Sequence, residues 1–95
     1  MKRLANKISI VTGSSSGIGK AIALRFAEEG SFVVVAARRT ILCEQVVQQI
    51  RNQGGKAISI PVDIREESQV EHLFDETVKR YGRLDILVNN AGIFG

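Results

Sequence analysis

The run Gly13-Ser14-Ser15-Ser16-Gly17-Ile18-Gly19 is the stretch of this sequence best suited to hold a phosphate. Glycine lets the backbone approach an anion closely, serine hydroxyls add donors, and the free N–H groups and dipole of a following helix favour negative charge. The plain alternative is an ordinary tight turn. Two nucleotide-binding spacings can be tried against it. A P-loop needs Gly, four residues, then Gly-Lys-Ser/Thr. Anchored on Gly19-Lys20, it finds Ser14 in place of the first glycine and Ala21 in place of the Mg²⁺-binding hydroxyl. The G-x-G-x-x-G fingerprint also fails, because the spacing here is G-x-x-x-G-x-G. Other reactive side chains read as structural. His72 has no second His or Cys at ligand spacing and is expected on the surface. Cys43 falls on an apolar stripe and is expected to act as a small buried hydrophobe. Glu66-Glu67 reads as charge compensating a helix dipole. No metal site is visible.

The elements that position these residues alternate in period. Residues 7–12 (KISIVT) form a short β-branched run ended by Gly13. From Gly17 to about Gly30, Ile18, Ala21, Ile22 and Phe26 recur at helical spacing and predict the buried stripe of a first helix. Residues 31–37 (SFVVVAA) are continuously apolar, as in a strand covered on both faces. Thr40 is expected to cap a second helix, with Cys43, Val46, Val47 and Ile50 on its stripe and Gly54-Gly55 as its stop. Residues 56–62 (KAISIPV) read as a third strand, with Pro61 near its end. Val70, Leu73, Phe74, Thr77, Val78 and Tyr81 predict a third helix stopped by Gly82. Residues 84–88 (LDILV) read as a fourth strand, followed by Asn89-Asn90-Ala91-Gly92. The order β-α-β-α-β-α-β predicts an α/β fold, a doubly wound parallel sheet with right-handed crossovers.

Length and composition bound the rest. Ninety-five residues, 44% hydrophobic and 24% charged, make one small domain of ordinary globular composition. A single cysteine excludes an internal disulfide framework, and no apolar run is long enough for a transmembrane helix. Met1-Lys2-Arg3 is basic, but no apolar stretch follows, so no secretory leader is expected and the location is expected to be cytoplasmic. The formal net charge is +3, and the basic excess sits in residues 1–56. That suits a phosphate-bearing partner or, more plainly, solvated helix faces. Four Phe and one Tyr leave little for a base-stacking surface, so neither a nucleic acid nor a membrane is expected as partner.

The spacing Thr12-Gly13-x-x-x-Gly17-Ile18-Gly19 resembles the short-chain dehydrogenase/reductase family. So do Asn89-Asn90-Ala91-Gly92 after the fourth strand, Asp63-Ile64 after the third, and Tyr81-Gly82-Arg83-Leu84-Asp85 before the fourth. The resemblance runs in register along essentially the whole chain. It implies a Rossmann-like sheet of strand order 3-2-1-4 and binding of a nicotinamide dinucleotide. By the same resemblance, Gly13, Ser15, Ser16, Gly17, Ile18 and Gly19 form the phosphate loop. Ile18 and Gly19 then lie against the pyrophosphate, and Ser15 lies near the adenosine ribose or its phosphate. Asp63 accepts from the adenine amino group, Ile64 packs on the ring, and Asn90, Ala91 and Gly92 pass near the cofactor ribose. Asn89 is expected to tie strand four to its neighbours. Arg65 departs from the family, standing where a helix-capping Ser, Thr or Asp is common, so the third helix is expected to start less firmly.

The end of the second strand selects the cofactor. An acidic residue there favours NAD, and a basic one pairs with the 2′-phosphate of NADP. Ala37 stands where NAD-preferring relatives carry Asp, and Arg38 matches the basic position, with Arg39 a second partner. NADP(H) is therefore expected rather than NAD, the alternative being two exposed loop charges. The family moves hydride between nicotinamide and a carbonyl or alcohol carbon, using a tyrosine and a lysine four residues later. Here the single tyrosine, Tyr81, lies on an apolar stripe and position 85 is Asp. No catalytic residue is assigned, and the catalytic segment is expected to be missing from this chain. The expected function is the cofactor-binding part of an NADP-dependent oxidoreductase acting on a small carbonyl or alcohol substrate. The alternative is a non-catalytic dinucleotide-binding module or gene fragment. Full-length relatives usually form homo-oligomers, through segments expected to be absent here. An isolated 95-mer is expected to be marginally stable or to aggregate, and to show no turnover, because strand four would leave an open apolar edge.

Overall fold

In the computed structural model, which describes residues 3–13 and 17–89, the apolar runs become strands and the periodic runs become helices. The order is β1 (Ile8–Thr12), α1 (Gly17–Glu28), β2 (Phe32–Ala37), α2 (Thr40–Asn52), β3 (Lys56–Pro61), α3 (Glu67–Tyr81) and β4 (Ile86–Asn89). The strands form one parallel sheet, as the alternating pattern predicts, in the order β3-β2-β1-β4 that the resemblance implies. β1 and β2 pair in register from Ile8 opposite Phe32 to Thr12 opposite Ala36.

The continuous apolar run of β2 is explained by two cores. Val33 and Val35 pack on one face with Val11, Ala23, Ala27, Cys43, Val46, Val47 and Ile50, under α1 and α2. Val34 and Ala36 pack on the other with Ile10, Val62 and Leu73, under α3. Successive side chains of a strand point to opposite faces, so a strand covered on both sides must be apolar at every position. The Ser9 and Ser31 hydroxyls, both buried, lie 2.6 Å apart, and Ser31 Oγ also lies 3.0 Å from the Lys7 and Phe32 carbonyls.

The helices agree with expectation in part. On α2, Cys43, Val46, Val47 and Ile50 are all buried. Thr40, however, is the first residue of α2 rather than its cap; the cap position is Arg39, with no side-chain hydrogen bond. On α1 the buried residues are Gly19, Ala23 and Ala27, not the expected stripe, and Ile18 is 72% exposed. The small residues win because they let α1 lie close on the sheet, while the bulkier Ile22 and Phe26 pack along its flank. On α3, Leu73 and Thr77 are buried and Gly82 ends the helix in the left-handed conformation, but Val78 is 46% exposed. Its side of α3 has no described neighbour to cover it.

At the amino ends of the strands, a polar clasp joins β4 to β1. The Asp85 N–H donates to the Ile8 carbonyl at 2.9 Å, and Asp85 Oδ2 accepts from the Ile8 N–H at 2.8 Å. Arg83 donates to Asp85 Oδ2 at 3.0 Å and to the Asn6 carbonyl at 2.6 Å. The Ile8 N–H and the Arg83 guanidinium hold the Asp85 carboxyl below its ordinary range. A carboxyl depressed in the folded state stabilises it above the unfolded pKa of about 4, and that contribution fades as pH falls through the lowered value. Asp85→Asn keeps an acceptor for Ile8 but removes the charge. It is expected to lower the melting temperature by a few degrees at neutral pH, of the order such charge-assisted bonds give in a small domain. The gap to wild type should close as pH falls below the ordinary aspartate value of about 4 in thermal melts followed by circular dichroism.

Candidate functional site

The glycine loop leaves the carboxyl end of β1. Gly13, at φ 64°, donates its N–H to the Ala36 carbonyl at 2.8 Å, so the chain turns away only after one more bond to β2. Gly17 opens α1 at φ 58°, a left-handed conformation costly to residues with a Cβ. Ser15 and Ser16, with Ser14, lie outside the described residues. No acidic residue stands in the first turn of α1, so its dipole is left uncompensated there. Gly19 is buried against the sheet while Ile18 projects outward beside the loop.

Two further loops leave the same end of the sheet. The Val62 N–H donates to the Ala37 carbonyl at 2.9 Å, which sets the chain beyond β3 beside that beyond β2. Arg38 and Arg39 are exposed there. Asp63 follows, and its carboxylate is clamped by Arg65. Oδ1 accepts from the Arg65 backbone N–H and from Nε, both at 3.0 Å, and Oδ2 accepts from Nη2 at 2.9 Å. The guanidinium and backbone N–H of Arg65, with the more distant charge of Arg38, hold the Asp63 carboxyl at about 2. Ile64 packs against the α3-side core and keeps part of its surface exposed.

Sequence reasoning treated Arg65 only as a poor cap and missed this pairing. The cap of α3 is Glu66, one residue later, and the turn before it is held differently. Asp63 bonds its own chain two residues on, as acidic residues do in turns, and Gln69 Oε1 accepts from the Asp63 N–H at 2.8 Å. The start of α3 thus lacks a side-chain cap, in line with the expectation, and it is the preceding turn that Asp63 and Gln69 hold. Gln69 stands three residues after the cap, where Glu or Gln commonly accepts from the cap N–H, but here it reaches past Glu66 to the Asp63 N–H.

At the end of β4, the Thr12 hydroxyl lies 3.2 Å from both the Val88 carbonyl and Asn89 Oδ1. Asn89 thus meets β1 through its side chain, in the tying role expected of it. Asn90, Ala91 and Gly92 lie outside the described residues. α1 and α2 cover one face of the sheet and α3 the other, so the connections diverge at the β1–β4 boundary. In open parallel sheets, ligands bind outside the carboxyl ends of the strands at such a reversal. Gly13, Gly17, Ile18, Gly19, Arg38, Arg39, Asp63 and Ile64 all follow those strand ends.

Other features do different work. Tyr81 packs on Phe32, ring centroids 4.8 Å apart, and burial raises its phenol, the opposite of what proton exchange near neutrality needs. Burial also raises the Cys43 thiol. Among the described residues no three His, Cys, Asp or Glu side chains are grouped to hold a metal, and no helix is long and apolar enough to cross a membrane. A groove of about 390 Å³ beside the β3 edge is lined by Val47, Arg51, Ile58, Glu76 and Arg80 among others, and by none of the expected site residues.

The sequence model for short chain dehydrogenases matches residues 7–95. The chain belongs to the short-chain dehydrogenase family. It is 43% identical over 95 residues to a 3β-hydroxysteroid dehydrogenase of Mediterraneibacter gnavus, covering 100% of this chain and 34% of that one. The crystal structure of an Escherichia coli hydroxysteroid dehydrogenase superposes with a TM-score of 0.93 at 42% identity, over 98% of this chain and 40% of that one. A metagenomic short-chain oxidoreductase solved with NADP gives 0.91 at 36% identity, over 95% and 41%. The chain thus spans about a third of the curated relatives' length and corresponds to their N-terminal portion. The family uses a nicotinamide dinucleotide. The described residues fit such a group: an uncompensated helix N-terminus behind two left-handed glycines for phosphates, exposed arginines and an ionised carboxylate.

A Cβ built at Gly17 meets no described atom within 4 Å, so only its φ opposes a side chain. Gly17→Ala is expected to cost about 1 kcal/mol of stability from that backbone conformation alone. Denaturant unfolding of the intact protein measures it; a loss of several kcal/mol would mean that the loop packs more tightly than this.

Proposed function

We propose that this chain is the NADP(H)-binding part of a short-chain oxidoreductase that moves hydride between nicotinamide and a carbonyl or alcohol carbon of a small substrate. The observation that carries the proposal is the pair Arg38-Arg39, exposed at the carboxyl end of β2, with no acidic residue between Gly30 and Cys43. A 2′-phosphate would meet a fixed cation there, and no carboxylate of that loop would repel it. The relative solved with NADP supports the same choice. In this reading, Gly13, Gly17, Ile18 and Gly19 border the pyrophosphate at the start of α1. Ser15 and Ser16 belong to the same loop, Ser15 beside the adenosine ribose or its phosphate. Asp63 accepts from the adenine amino group with Ile64 beside the ring, and Asn90, Ala91 and Gly92 run along the second ribose. The bound dinucleotide supplies the hydride chemistry.

A second reading, a dinucleotide-binding module without catalysis, is favoured by one observation. Tyr81, the chain's only tyrosine, is committed to packing on Phe32 and has Asp85 four residues on. A Tyr-x-x-x-Lys further along the same reading frame would decide for the enzyme.

Calorimetric titration of the intact protein with NADP⁺ and NAD⁺ tests the proposal. NADP⁺ should bind more tightly, and Arg38→Ala should weaken NADP⁺ roughly ten-fold, the value of one charge-assisted contact, while leaving NAD⁺ little changed. Tighter NAD⁺ binding, or an unaltered preference in Arg38→Ala, would overturn it.

A further inference from the structure

We propose that Arg65 is a positioning residue for dinucleotide recognition: its guanidinium fixes the Asp63 carboxylate in one orientation, so that a single acceptor position remains for the adenine amino group. The inference rests on the reading above, in which Asp63 meets adenine.

The count of lone pairs carries it. A carboxylate has about four acceptor positions. In this chain three are filled by one neighbour: Oδ1 takes the Arg65 backbone N–H and Nε, and Oδ2 takes Nη2. One position on Oδ2 remains. A free aspartate could turn about its last torsion and offer either oxygen; here the two-pronged ion pair and the backbone bond together favour one orientation. The pair is itself held from behind, because Gln69 Oε1 accepts from the Asp63 N–H and the Glu66 N–H donates to the Asp63 carbonyl. The charged groups facing the carboxylate are Arg65 from the β3–α3 turn and Arg38 from the end of β2, with Glu66 beside Arg65. Both neighbours of the carboxylate are cationic, so it stays ionised far below neutrality and presents an acceptor at any working pH. Adenine offers an N–H to such an acceptor; hypoxanthine, with a carbonyl oxygen in the same place, does not.

The test uses NADP⁺ and its hypoxanthine analogue on the intact protein and on Arg65→Ala, Arg65→Lys, Asp63→Ala and the Asp63→Ala/Arg65→Ala double variant. Calorimetry gives the affinity ratio of the two dinucleotides, and carbon NMR follows the Asp63 carboxyl without any cofactor. Wild type should prefer the adenine form and Asp63→Ala should lose that preference. Arg65→Ala should cut the preference several-fold, and should add nothing in the double variant. In Arg65→Ala the Asp63 carboxyl should titrate near the ordinary aspartate value of about 4 rather than about 2. The residual preference should then disappear between pH 5 and pH 3, where wild type keeps its own. Arg65→Lys should recover part of the titration shift but not the preference, since an ammonium lacks the planar fork. A purely structural role for Arg65 would weaken both dinucleotides equally and leave the ratio unmoved. Loss of preference in Asp63→Ala with none in Arg65→Ala, or an unshifted Asp63 titration in Arg65→Ala, overturns this inference alone. Absence of NADP⁺ binding to wild type, or an unchanged ratio in Asp63→Ala, overturns the reading beneath it and this inference with it.

Discussion

The parallel pairing of β1 with β2, residue for residue from Ile8 and Phe32 to Thr12 and Ala36, decides where every loop of the candidate site leaves the sheet. The ladder is carried one bond further on each side, by the Gly13 N–H to Ala36 and the Val62 N–H to Ala37. Through them the glycine loop, Arg38 and Asp63 are brought to one end of the molecule. Register is strict because both faces of these strands are buried. A slip of one residue would exchange Val33 and Val35 with Val34 and Ala36 between two cores of different shape. The place where the glycine run leaves the sheet is thus fixed by valine packing several residues away.

Charge is distributed differently at the two ends of the sheet. At the amino end, Asp85 is bound to a backbone N–H and to Arg83, and the result is a clasp between β4 and β1. At the carboxyl end, three of the four acceptor positions of Asp63 are taken by Arg65, which has a consequence for its other neighbour. Arg38 is close enough to depress the Asp63 carboxyl yet forms no ion pair with any described residue. Arg65 rather than Arg38 pairs with the Asp63 carboxylate, and Arg38 is exposed at the end of β2. An anion arriving at the end of β2 does not have to displace an internal partner.

Where the chain's pattern was strong, it was legible without coordinates. The stripe of α2, the stop at Gly82 and the parallel sheet follow from periodicity and from the rule that strands joined by helices run parallel, while the strand order came from the family resemblance. On α1 the hydrophobic pattern pointed to Ile18 and Ala21, but packing distance decided instead, in favour of Gly19, Ala23 and Ala27. Periodicity weighs polarity and is blind to size, so a face of small residues is invisible to it. Thr40 failed as a cap because Arg39 takes the extended conformation before the first turn. The clamp on Asp63 was illegible for another reason: spacing places Arg65 two residues on, and only the turn folds its side chain back. The family resemblance named most candidate site residues, and Ser15, Ser16 and Asn90 to Gly92 fall outside the described residues.

The exposure of Leu87, 47%, follows from the width of the layers rather than from any fault in register. Strands lie about 4.8 Å apart and a helix with its side chains is about 10 Å across, so one helix covers roughly two strands. A four-stranded sheet therefore needs two helices on each face. α1 and α2 supply them on one side, and there Ile86 and Val88 of β4 are partly buried, Val88 against the first core. On the other side α3 is the one helix among the described residues. Its contacts gather Ile10, Val34, Ala36 and Val62, together with Ile58 and Ile60 of β3, which places it over the β3–β1 half of the sheet. Leu87, opposite Ile10 in β1 and pointing to the α3 side, is the position that a single helix cannot reach. Val78, exposed on α3 itself, belongs to the same uncovered layer. The alternation of half-buried and exposed residues along β4 is thus set by the number of described helices on each face, two against one, while its pairing with β1 runs from Ser9 to Thr12.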